Sequence, residues 1–196
     1  MTKTEICNQA LALLGHDRAV EDFDGQTDGV YNDQSTEAAR CRQFFDVALH
    51  DCLAEHDWDF AAVVRGLGLV HGDAYGWARF PMPPDAVRLV EVTDAEGRPM
   101  KTRRNRDFVE VQTRGEAARI RYVSDDVDVT ALPHKFREAL VAQLAFLLAG
   151  PMFGSDSKTN SFYQLAKSRV ADAVKKETDE TAYRGEVENP FTSARK

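Results

Sequence analysis

The sequence lacks the features that mark secreted, membrane and disulfide-stabilised proteins. Its three cysteines are odd in number and form no Cys-x-x-Cys pair, which argues against a disulfide framework and favours buried apolar thiols. No apolar run approaches the roughly 20 residues that cross a bilayer, and residues 1–5 do not begin a signal peptide. We therefore expect one globular protein, folded in a cytoplasm and without a membrane partner.

The common motifs of catalysis are missing too. The chain has no Gly-x-Gly-x-x-Gly or Gly-Lys-Ser/Thr phosphate loop, no Gly-x-Ser-x-Gly elbow and no His-Glu-x-x-His helix. We expect no catalytic residue, no metal and no cofactor.

One dense cluster of titratable side chains, at the end of a predicted helix, leaves alternatives open. Cys52 and His56 are four residues apart and could form a metal pair on a helix. Glu55 with Asp57 or Asp59 could form the carboxylate pair of a hydrolase. The same residues also interact favourably with the dipole at a helix end. We prefer this interpretation, which requires neither a metal ion nor catalysis.

Charge is distributed unevenly along the 196 residues. The chain carries a net −7, but residues 1–60 hold 4 basic and 13 acidic side chains, a net −9. Residues 98–121 hold 8 basic and 3 acidic side chains, a net +5. This asymmetry favours protein–protein contact or subunit stacking over general DNA binding, which is typical of domains that are basic as a whole. The bland alternative is a solvated hairpin whose arginines face water. The candidate partner-binding residues of this segment are Arg98, Lys101, Arg103, Arg104 and Arg106.

Apolar side chains at helical spacing predict helices at both ends of the chain. Gly15 is placed to end the first helix, Ser35 to cap the second, and Gly150-Pro151 to end the third. The predicted helices cover residues 4–14, 35 to about 55, 133–149 and about 158–177.

Two other segments have no helical spacing. Residues 16–34 are rich in Asp, Gly and Asn and predict a long surface loop anchored by Val20 and Phe23. Residues after 181 are polar but carry isolated aromatics, which favours a segment that docks on a partner as much as a disordered end. Its candidate partner-binding residues are Tyr183, Arg184 and Phe191.

The middle of the chain alternates apolar and polar residues as strands do. Trp58 and Phe60 are predicted to lie on one face of the first strand, and three prolines in residues 80–85 are predicted to interrupt the sheet. The predicted strands are 58–64, 67–70, 87–92, 108–112 and 118–123, with hairpin turns at 94–97 and 113–116.

The order of these elements predicts an α+β fold. Residues 1–56 and 130–182 are expected to form a helical bundle from both ends of the chain. Residues 57–129 are expected to form an inserted small antiparallel sheet, and residues 183–196 a C-terminal docking tail.

The linear arrangement resembles the tail tubular protein A, or gateway, family of short-tailed bacteriophages and prophages. The likeness spans nearly the whole chain, each piece is short, and its weight lies in order and spacing. The segments that carry it are 8–15 (NQALALLG), 20–23 (VEDF), 40–46 (RCRQFFD), 56–61 (HDWDFA), 80–85 (FPMPPD), 87–90 (VRLV) and 132–140 (LPHKFREAL).

The resemblance implies a structural virion protein without catalytic residues. Such head-to-tail adaptors form a ring, usually of twelve subunits, between the portal protein and the tail nozzle protein. DNA passes through the lumen without specific binding, which suits a net acidic subunit. Alternative functions are a nucleic-acid-binding module that uses the basic segment and a tail-associated peptidoglycan hydrolase.

Overall fold

A computed structural model describes residues 1–68, 71–72, 76–105, 108–112, 117–154 and 156–186. The fold is α+β, as the sequence predicts: within the described residues there are four α-helices, together with small antiparallel sheets. The helices are α1 (Lys3–Leu13), α2 (Thr36–Ala54), α3 (His134–Phe153) and α4 (Asp156–Glu186). The strands are β1 (Gln26–Thr27), β2 (Val30–Tyr31), β3 (Ala62–Gly68), β4 (His71–Gly72), β5 (Trp77–Pro81), β6 (Ala86–Thr93), β7 (Thr102–Asn105), β8 (Phe108–Gln112) and β9 (Ala117–Ser124).

The chain divides into two compact units. A helical unit comprises Met1–Cys52 with Asp128–Lys196, and a β unit comprises Leu53–Val127.

The first two helices begin at side-chain caps. Thr2 and Glu5 form a reciprocal capping box, in which the Glu5 amide donates to the Thr2 hydroxyl and the Thr2 amide donates to the Glu5 carboxylate. Gly15 follows α1 with a φ of +73°, so its predicted role as the helix stop is confirmed. The Ser35 hydroxyl accepts from the Ala38 amide over 3.2 Å, which confirms the predicted cap of α2.

Helix α3 forms the centre of the helical unit. Its buried side includes Phe136, Leu140, Leu144 and Leu148, and both α1 and α4 pack against it. The predicted stop at Gly150-Pro151 is wrong, since the helix continues to Phe153 and ends at Gly154 with a φ of +57°. Pro151 lies inside the last turn, where it removes one backbone donor from the helix.

By length and composition alone, α3 could also cross a membrane, although the sequence contains no uninterrupted apolar run of that length. It has 20 residues, and half of its most apolar window is buried inside the protein. A core helix shows the same two properties.

Helix α4 is longer than its spacing predicts. It has 31 residues and ends at Glu186, so the predicted end near Glu177 is wrong, and residues 183–186 of the predicted docking tail lie on the helix. Ala166 and Ala173 are its buried contacts. Residues 178–180 are exposed.

The β unit contains two antiparallel sheets that share one core. The strand orders are β3-β9-β6 and β4-β5-β8-β7. Both sheets contribute to the core cluster, whose members are Leu67, Ala78, Phe80, Val92, Val109, Val111, Ala118, Ile120 and Tyr122.

Several strand predictions are corrected by this topology. Residues 59–61 form a 3₁₀ turn, so Trp58 and Phe60 do not share a strand face, although Trp58 is buried. Residues 62–64 and 67–68, from two separately predicted strands, belong to one strand, β3. Strand β5, which was not predicted, ends at Pro81. A proline is tolerated at a strand end, because no further backbone donor is needed there, and the other two prolines follow the strand.

The predicted hairpin between 108–112 and 118–123 is also wrong, because β8 and β9 belong to different sheets. Its proposed turn, residues 113–116, lies outside the described residues, as do residues 69–70 of the predicted strand 67–70.

Candidate partner-binding surfaces

The basic segment 98–121 does not form one surface. Arg119 and Arg121 lie on β9, in the three-stranded sheet, whereas Arg103 lies on β7, in the four-stranded sheet. Arg121 forms an ion pair with Asp59 over 2.8 Å. The prediction of a single basic hairpin from Arg98 to Arg121 is therefore wrong, since β7 and β8 belong to the four-stranded sheet and β9 to the three-stranded sheet.

Arg98 forms ion pairs with two neighbouring carboxylates. Its guanidinium lies 2.7 Å from the Asp94 carboxylate and 2.9 Å from Glu96 in an exposed turn. Hydrogen bonds from the Arg98 amide and side chain hold the pKa of Asp94 below its ordinary value. Arg98 thus stabilises the predicted 94–97 turn and adds little net charge to a surface.

A second group of predicted residues lies on the outer face of the four-stranded sheet. The Arg103 guanidinium stands over the Trp77 ring at 4.0 Å, a cation–π contact. Arg103 pairs in register with Glu110, and strand alternation places Lys101, which is exposed, on the same face. We call this surface the basic sheet face; it comprises Trp77, Arg79, Lys101, Arg103, Phe108 and Glu110.

Arg79 binds two neighbours on the basic sheet face. It forms an ion pair with Glu110 over 2.9 Å, and its guanidinium lies 5.5 Å from the Phe108 ring centre. The face therefore combines three cationic side chains with one carboxylate and two partly buried aromatic rings. Cations set around aromatic rings form a surface suited to acidic partners that also present an apolar side chain.

The remaining predicted residues are located only in part. Arg104 lies on β7 opposite Val109, and Tyr183 and Arg184 lie in the last turns of α4; the side chains of these three are not described. Arg106 and Phe191 lie outside the described residues.

The predicted acidic loop folds into an ordered hairpin. Val20 and Phe23 are both buried, so their predicted anchoring role is confirmed. Strands β1 and β2 pair around Asp28-Gly29, where φ values of 52° and 77° form a tight turn suited to the right-handed strand twist. We call residues 21–33 the acidic hairpin.

Side chains close the acidic hairpin on itself. The Asp22 carboxylate accepts from the Gly25 amide over 2.8 Å and from the Asn32 side-chain amide over 3.2 Å. Gly25 is required there, because a Cβ atom at this position would overlap the Asp22 carboxylate. Asp33 accepts from the Glu21 amide over 2.8 Å, so both ends of the hairpin are held.

Hydrogen bonds also fix the acidic hairpin, and the residue before it, to α1 and α2. Asn8 on α1 bonds both backbone groups of Val20, accepting from its amide at 2.7 Å and donating to its carbonyl at 2.9 Å. Arg42 on α2 donates to the Phe23 and Asp33 carbonyls at 3.2 and 2.7 Å. The same guanidinium lies 4.1 Å from the Tyr31 ring centre.

Hydrogen bonds lower the pKa of two hairpin carboxylates, Asp22 and Asp33. Hydrogen bonds from Ser35 lower the pKa of Asp33 to about 2. The Gly25 amide and the Asn32 side chain lower the pKa of Asp22. The exposed side chains at the surface of the hairpin include Glu21, Asp24, Asp28, Val30 and Tyr31.

The titratable cluster at residues 50–59 is used for structure. Asp57 pairs with Arg88 over 2.6 Å, and Asp59 pairs with Arg121. Cys52 is buried, and within the described residues no group of three metal-binding side chains lies together.

A polar network around Asp85 has no counterpart among the sequence predictions. Its carboxylate accepts from the Tyr122 and Ser124 hydroxyls, each over 2.8 Å, and pairs with Arg65 over 3.5 Å. No local pattern signals this network, because β9 and the turn before β6 are far apart in sequence.

The helical unit carries a shallow groove between α1, α3 and α4. Its volume is about 410 Å³, and its apolar lining includes Leu13, Val141 and Leu165. Glu138 and Arg169 form an ion pair over 3.4 Å at its border.

These features define an α+β protein with two charged candidate partner-binding surfaces. Neither the models of known protein families nor the curated protein sequences match this chain.

Proposed function

We propose that the protein is a structural virion subunit, a head-to-tail adaptor of a short-tailed bacteriophage or prophage. In this role it forms a ring between the portal protein and the tail nozzle protein, and DNA passes through the ring. It is made in the bacterial host cytoplasm and has no catalytic residue.

The observation that carries the proposal is the way the chain is assembled. Both chain ends contribute to one helical unit, and a β unit is inserted between α2 and α3. The resemblance to the gateway family rests on the order of segments along the chain, and the helices and strands follow the order that the sequence predicts.

The length of α4 supports a docking role for the C-terminal end. Residues 178–180 are exposed in a helix that continues to Glu186. Three successive exposed residues leave this part of α4 accessible to another protein. In the proposal this partner is the portal.

The net charge supports the proposed DNA channel. A chain at −7 repels a polyanion, so DNA can slide past a ring of such subunits.

The test is reconstitution with the portal protein from the same genome. The two purified proteins are mixed and the complex is examined by electron microscopy. A ring of this protein on one end of the portal is the expected result. If no complex forms at any mixing ratio, the adaptor function is wrong.

A nucleic-acid-binding module is the second candidate, and the contact between Arg103 and Trp77 favours it. Aromatic rings beside cations also bind single-stranded nucleic acids. Arg79, Arg98 and Arg121 are already paired with carboxylates, however, so three of the described cations are not free to bind phosphate.

A further inference from the structure

The chain presents two ordered surfaces of opposite charge, one on each unit. We propose that the acidic hairpin of one copy binds the basic sheet face of the next copy. This inference rests on the proposed function, because it names the subunit contact that would build the ring.

The acidic hairpin has the properties of a rigid ligand. Asp22, Asp33 and Arg42 hold its backbone, so little conformational entropy is lost when it binds. Val30 is 54% exposed and Tyr31 is 40% exposed, a pair of large apolar side chains beside exposed carboxylates. Exposed apolar residues on a rigid acidic turn are typical of a contact surface.

The basic sheet face has the complementary properties. Lys101 and Arg103 are exposed cations, and the rings of Trp77 and Phe108 are partly accessible beneath the arginines. Apolar side chains of the hairpin can pack on these rings while its carboxylates meet the cations. Such charge complementarity determines register and partner choice more than it adds affinity.

The two surfaces differ, so each copy offers one donor and one acceptor surface. A contact of this head-to-tail kind produces a closed ring or an open filament. Proteins that pair through identical surfaces form closed dimers instead. A head-to-tail contact is therefore the kind that a ring subunit needs.

A charge-swap experiment on the full-length protein tests the contact. The face variant carries Lys101→Glu and Arg103→Glu, and the hairpin variant carries Glu21→Lys and Asp24→Lys. All four side chains are exposed, so both variants are expected to fold. Self-association is measured by sedimentation velocity over a concentration series.

Each variant alone is expected to associate at least about tenfold more weakly than the wild type, because like charges then face each other. An equimolar mixture is expected to recover association, since each copy again meets an opposite charge on both sides. Matched controls are Arg119→Glu on the other sheet and Asp46→Lys on α2, which are expected to change nothing. Wild type that stays monomeric at all concentrations, or a mixture without recovery, overturns the proposal.

Cross-linking separates a contact between copies from one within a copy. A carbodiimide joins the Lys101 amine to a nearby carboxylate, and a mixture of ¹⁴N- and ¹⁵N-labelled protein identifies the two chains by mass spectrometry. Links from Lys101 to Glu21, Asp24 or Asp28 in mixed-isotope pairs are expected. Links in single-isotope pairs only overturn the proposal.

The outcomes also distinguish other partners and the proposed function. If the face variant loses binding to a single-stranded oligonucleotide but associates as the wild type does, the face binds nucleic acid and the proposal is wrong. If the equimolar mixture recovers association but no portal complex forms, the contact between copies is supported and the adaptor function is wrong. If the portal complex forms but the equimolar mixture does not recover association, only the proposed contact between copies is wrong.

Discussion

The Tyr122 hydroxyl donates a hydrogen bond to the Asp85 carboxylate over 2.8 Å, which connects the centre of β9 to the turn before β6. Burial and this hydrogen bond raise the pKa of Tyr122 to about 12. Burial also opposes ionisation of Asp85, but hydrogen bonds from Tyr122 and Ser124 outweigh it and lower the pKa of that carboxyl. The pair holds two segments together that are distant in the chain.

The substitution Tyr122→Phe is expected to lower the free energy of unfolding by about 1 kcal/mol, because it removes one donor from a partly buried carboxylate. Urea unfolding followed by intrinsic fluorescence measures the change. Tyr163→Phe, at an exposed ring on α4, is the control and should unfold as the wild type does. Equal stability of wild type and Tyr122→Phe would show that the hydrogen bond contributes nothing.

Asp33 makes the stability of the acidic hairpin depend on acid pH. The pKa of Asp33 is lowered from 3.8 to about 2. The ionised carboxylate therefore stabilises the fold at pH values above 3.8, and this contribution disappears as the pH falls toward 2. Asp33→Asn should therefore lower the melting temperature by a few degrees at neutral pH and by almost nothing near pH 2. Thermal melts across this range, with Asp46→Asn as control, test the prediction. A difference that does not change with pH would contradict it.

Asn8 fixes the start of the acidic loop by bonding both backbone groups of Val20. Asn8→Ala leaves these part-buried groups without their partner and should cost about 2 kcal/mol. The measurements are urea unfolding and amide hydrogen exchange of Val20, which should become faster in the variant. Gln9→Ala, at the neighbouring exposed position, should leave both unchanged. Unchanged exchange in Asn8→Ala would mean that the loop is held in another way.

Deletion of residues 183–196 is expected to leave the fold intact and to abolish binding to the portal. Ala166 and Ala173, the buried contacts of α4, lie well before the cut, so the melting temperature should change little. Pull-down with the portal protein measures docking, and the double variant Tyr183→Ala, Arg184→Ala tests the named side chains. A large fall in melting temperature would show instead that the segment belongs to the folded core.

Local signals predicted the helical parts of the fold well. Ser35 and Gly15 mark helix ends by chemistry that acts within one turn, so sequence alone locates them. Gly150-Pro151 failed as a stop, because α3 continues to Phe153 and ends at Gly154, although its last buried residue is Ala149.

The strands were predicted less well, because alternation indicates a strand but not its neighbours. Residues 108–112 and 118–123 were correctly expected to be extended, yet each pairs in a different sheet. The basic segment therefore divides between the basic sheet face and β9, where Arg121 is ion-paired with Asp59. Arg103 was identified as a candidate residue by its charge, whereas its contact with Trp77 depends on strand pairing.

The sequence by itself determined the α+β class, the helix caps, the buried loop anchors and the uneven charge, because all of these depend on residue type and short-range spacing. Tertiary structure alone decided which strands pair, which arginines are already neutralised and which remain exposed. It also decided that an acidic, glycine-rich segment becomes a rigid hairpin, since Asn8 and Arg42 act on it from separate helices. The physical reason is that pairing partners far apart in the chain are selected by packing of the whole unit, which no local pattern records.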